Sequence, residues 1–96
     1  MKILRTTHIN LNPIQTVNFP YNPQILGIKL EGNLVKVAYI EDQSQSGLCS
    51  LEFRMCKQNE EIDFDNTNYS YMGLIEHNDI DYHIFSKIVG QSQDFR

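Results

Sequence analysis

At 96 residues the chain has the length of one domain, and one this short buries only about 60–65% of its unfolded surface, so self-association would add to a limited core. A 41% share of hydrophobic residues, with five Phe and five Tyr, excludes a disordered chain. A net charge of −4, with the eight Lys and Arg scattered at Lys2, Arg5, Lys29, Lys36, Arg54, Lys57, Lys87 and Arg96, argues against direct duplex nucleic-acid binding, which needs clustered cations.

The elements follow in chain order. Residues 2–9 form a first strand with imperfect alternation. Asn10-Leu11-Asn12-Pro13 is a turn signal. Thr16-Val17-Asn18-Phe19 is a short strand that Pro20 stops, because proline cannot donate to the ladder. Leu26, Ile28 and Leu30 alternate with Gly27, Lys29 and Glu31 as in a half-buried strand. Gly32-Asn33 then offers the positive φ values of a tight hairpin, and Val35, Val37 and Tyr39 return. Residues 42–47 read as a polar, exposed loop. Leu51, Phe53 and Met55 mark a fifth strand.

Residues 58–68 form a second loop, rich in acids and asparagines, and helix could exist only as a single turn, with residues 60–64 the candidate place. Tyr71-Met72-Gly73-Leu74-Ile75 and Ile80-Asp81-Tyr82-His83-Ile84-Phe85 close the chain as a hairpin. The expectation is all-β: one small antiparallel meander of six to seven strands over residues 1–89, barrel-like or a sandwich, with a flexible polar tail over residues 90–96.

Chemistry-bearing groups are sparse. Asp63-x-Asp65 offers two carboxylates, but the glycine and distal glutamate of a calcium loop are missing. Cys49 and Cys56 lie seven apart and His77 and His83 six apart, neither of which is a zinc spacing. There is no nucleophile elbow, and the five glycines are singletons, so no phosphate loop is present. The expectation is therefore no catalytic residue, no metal and no cofactor. No early apolar run resembles a signal peptide and none approaches a membrane span, so a cytoplasmic protein with reduced thiols and no membrane partner is expected.

In their order, Thr16-Val17-Asn18-Phe19-Pro20, Gln24-Ile25-Leu26-Gly27-Ile28-Lys29-Leu30, Val37-Ala38-Tyr39-Ile40-Glu41, Phe53-Arg54-Met55, Tyr71-Met72-Gly73 and Tyr82-His83-Ile84-Phe85 carry a resemblance. The chain resembles a set of small phage and prophage accessory proteins of similar length. It departs from their pattern where Val37 stands for tryptophan, Lys57-Gln58-Asn59 for Gly-Thr-Gly, and Leu74 for threonine. The resemblance implies origin more than mechanism: a mobile-element accessory protein.

Three functions follow as expectations. The first is a non-enzymatic counter-defence inhibitor in the bacterial host cytoplasm. It would bind a host protein's basic surface through Glu60, Glu61, Asp63, Phe64, Asp65, Tyr69 and Tyr71, because acids complement cations and tyrosine is favoured at interfaces. The second is a homo-oligomer that sequesters a small nucleotide signal, using Arg5, Arg54, Lys57, Tyr82 and His83 for phosphate and base. The third is a minor structural phage protein.

Overall fold

The computed structural model describes residues 1–94. Seven strands form: β1 (Lys2–Ile9), β2 (Ile14–Pro20), β3 (Gln24–Glu31), β4 (Leu34–Asp42), β5 (Gly47–Lys57), β6 (Ser70–His77) and β7 (Ile80–Gln93). They make two antiparallel sheets, of order β1-β4-β3 and β2-β5-β7-β6. The all-β expectation holds, but the sheets do not close into a barrel.

The meander expectation is corrected. Only β3–β4 and β6–β7 pair as neighbours in sequence, whereas β1 pairs with β4 and β2 with β5. The short loops send the chain from sheet to sheet instead of turning it back. At the first crossing the Gln15 side chain bridges the Asn10 backbone, accepting from its N–H at 3.1 Å and donating to its carbonyl at 2.6 Å. The second crossing has Asn22 at φ 55°. Its N–H donates to Gln91 Oε1 at 3.0 Å.

Both hairpin turns have the backbone their residues allow. Glu31 pairs with Leu34 around Gly32-Asn33, and Gly32 alone takes positive φ (62°), the glycine-first form of the two-residue turn. His77 pairs with Ile80 around Asn78 and Asp79, both at positive φ, the other favoured form.

Period-2 alternation places the core. Val35, Val37 and Tyr39 from the first sheet meet Cys49, Leu51, Phe53, Met55, Ile75 and Ile84 from the second. Phe19 joins the layers, with its ring edge-on to Tyr39 at 5.1 Å.

Two segments differ from expectation. The polar run from Gly90 is strand through Gln93, because β5 starts early, at Gly47, and gives it a partner: Gly47 pairs with Gln93 and Ser50 with Gly90. Residues 95 and 96 of the expected flexible tail lie outside the described residues. The helical turn is a 3₁₀ turn at Asn66–Asn68, not at residues 60–64, because Asp65 caps it by accepting from the Thr67 N–H. No helix among the described residues is long and apolar enough to cross a membrane.

Candidate functional site

The outward face of the second sheet gathers most of the side chains that sequence singled out. Alternation along β5 and β7 turns Glu52, Arg54, His83, Phe85 and Lys87 away from the core. Residues 58–69 fold back over them. Phe64 packs edge-on against Tyr69 (4.8 Å) and Phe85 (5.5 Å), with the Arg54 guanidinium 5.3 Å over its ring. Tyr69 lies under the Lys87 ammonium at 4.9 Å and donates its hydroxyl to Glu52. Glu52 also accepts from Arg54 Nε at 3.1 Å. The Tyr69 hydroxyl, aided by Arg54, holds the Glu52 carboxyl below the usual carboxylate range against an opposing push from burial.

Beside this cluster runs a hydrogen-bonded chain. His83 Nε2 donates to Gln58 Oε1 at 2.6 Å, and its Nδ1 shares a hydrogen bond with the Tyr71 hydroxyl at 2.7 Å. The Gln58 N–H in turn donates to the Asp81 carbonyl at 2.8 Å. This bond extends the β5–β7 pairing one residue beyond Lys57–Tyr82 and sets the start of the acidic loop beside Asp81, next to the β6–β7 turn. Residues 57–81 carry one lysine against seven carboxylates, a net of −6 in a chain of −4. Tyr71 and Leu74 stay about half exposed on the same face.

The expected partner-binding residues therefore divide. Glu61, Asp63 and Tyr71 face solvent. Phe64 and Tyr69 are half-buried in holding the loop to the sheet. Glu60 accepts from the Lys57 N–H at 2.7 Å. Asp65 accepts from the Thr67 hydroxyl and N–H, which lowers its pKa. Glu76, Asp79 and Asp81 were not singled out in the sequence. The signal that finds them is the charge summed over the loop and the following hairpin together.

The expected nucleotide residues do not converge within one chain. Arg5 is on β1 and ion-pairs with Glu41 at 3.7 Å, while Arg54 is on the other sheet. Lys57 and Tyr82 share a cleft of about 260 Å³ with Leu11, Pro13, Met55 and Glu60, whereas His83 faces outward. Among the described residues no three His, Cys, Asp or Glu are grouped to hold a metal ion. Burial raises the pKa of Cys49; burial, and then Glu60 and Asp63, raise that of Cys56, so both thiols are held away from the nucleophilic thiolate.

Comparison with family models, curated proteins and solved structures finds no significant match.

Proposed function

We propose that this chain is a non-enzymatic binding protein of phage or prophage origin, a counter-defence inhibitor that covers a basic surface on a host protein. The observation that carries this reading is the union of the acidic loop and the β6–β7 turn through the Gln58–Asp81 hydrogen bond. It sets the start of the loop that carries Glu61 and Asp63 beside Asp81 and the turn that carries Asp79, and the Tyr71–His83–Gln58 chain links that start to exposed Tyr71, with exposed Leu74 opposite His83. Carboxylates steer association with a cationic surface, and a half-exposed tyrosine and leucine supply area to desolvate. Phe64 contributes indirectly, by fixing the loop that carries the acids. Nucleotide sequestration would draw on Arg5, Arg54 or Lys57 in a pocket between copies, since Arg5 and Arg54 lie on different sheets of one chain.

The test is affinity capture from bacterial lysate with the wild-type protein and an E61Q/D63N/D79N/D81N variant side by side. The expected result is one host protein recovered in stoichiometric amount at low salt, and lost on adding salt or in the variant. Recovery indifferent to both, or a nucleotide-sized added mass in the native mass spectrum in place of a protein, overturns it.

A further inference from the structure

The outer face of the first sheet is built unlike an idle surface. By register, Thr6, Ala38 and Gly27 stand side by side across β1, β4 and β3. Their small side chains leave a trough of about 390 Å³, and nothing lies within 4 Å of where a Gly27 Cβ would be. Leu26, 49% exposed, lines one side of the trough, and the next outward-facing pair along β1 and β4 sets Leu4, 74% exposed, beside Ile40. The other wall is basic, because His8, Lys36 and Lys29 are opposed across the same three strands. Like charges directly opposite one another destabilise a sheet. Glu31 is the one carboxylate that meets this row among the described residues, at 3.1 Å from His8 and 3.3 Å from Lys36, and Lys29 has no ion pair there. The face thus offers an apolar slot beside Lys29, which has no ion pair among the described residues, and Lys36, which shares the single carboxylate of Glu31 with His8.

The complement is present on the opposite side of the molecule. Ile62 is 43% exposed between Glu61 and Asp63, in the loop that lies over the second sheet. Neither of those carboxylates has a hydrogen-bond or ion-pair partner among the described residues. We propose that the trough receives the Glu61-Ile62-Asp63 segment of a second copy, with Ile62 in the slot and the carboxylates on Lys29 and Lys36. Charge complementarity within one sequence selects this occupant, which is independent of any host partner. Because the two surfaces lie on opposite faces, the contact is heterologous and propagates head to tail instead of closing as a symmetric pair. The same contact covers part of the acidic end, so assembly and capture of a basic partner compete.

The test uses purified protein alone, so its outcome is separate from that of host capture. Sedimentation equilibrium across protein concentration is expected to show mass rising above one chain at low salt and returning to it at high salt. K29Q/K36Q and E61Q/D63N each change only exposed or half-exposed side chains, and circular dichroism checks that both fold. Each should weaken association at least about tenfold. An equimolar mixture of the two should restore association but stop at pairs, since each variant keeps one intact surface. A wild-type chain that stays single at low salt overturns the proposal. So does an oligomer that neither variant weakens, or a mixture that does not associate.

Discussion

Single backbone positions decide where this fold tolerates no change. Gly47 sits at φ 135°, and a Cβ there would lie 2.8 Å from the Gln93 Cα and collide with the Ser92 carbonyl. Those atoms are backbone of a paired strand and cannot swing aside, and the conformation is one that L side chains rarely adopt. Gly47→Ala should therefore cost about 1–3 kcal/mol in urea unfolding, the scale of overpacking in a filled site. Gly27→Ala, with open space above it, is the control and should cost far less. Equal losses at the two positions would show that the approach of β5 to the end of β7 is not what Gly47 serves. Nothing in the sequence separates these two singletons, because the close approach involves residues 45 positions away.

Element by element, legibility follows the strength of local alternation. The hairpin β3–β4 was readable, since Ile28, Leu30, Val35 and Val37 alternate with polar neighbours around a glycine turn, whereas β1 was legible at the right place through a weaker, imperfect alternation. The start of β5 and the polar end of β7 were not readable, because Gly90 to Gln93 is strand only through its pairing with Gly47 to Ser50, which β2 holds from the other side. The loop of residues 58–69 is intermediate: its acids were visible, but the use of Phe64 was not. That ring is fixed by Phe85 and Arg54, which reach it from β7 and β5. Phe64→Ala should release the loop without unfolding the sheets, so proteolytic cleavage within residues 58–69 should accelerate several-fold. Amide exchange in β5 and β7 should stay unchanged. A loop that remains as resistant as in the wild type would mean that the Asp65 cap and the Tyr69–Glu52 bond suffice to hold it.

At the scale of the molecule, the two sheets are not separable units. The chain crosses between them three times, after β1, β2 and β4. Pairings such as Lys2 with Asp42 must close long loops before they are rewarded, which makes assembly non-local. Each sheet also leaves one apolar face that only the other covers: Ile9, Val35 and Val37 on one side, Leu51, Phe53 and Ile84 on the other. This mutual dependence was not legible, because alternation gives each strand a buried side without naming the strand that covers it. It has a measurable consequence. Ile9→Ala in β1 and Ile84→Ala in β7 each remove a side chain at most 2% exposed, and each should lower stability by about 2–5 kcal/mol. If the sheets fold as one unit, either change should speed amide exchange in β4 and β5 by the same factor, since the slowest amides then open through global unfolding. Acceleration confined to the mutated sheet would instead show that one layer persists without the other, and that the core joining Phe19 to Tyr39 is a seam between two units.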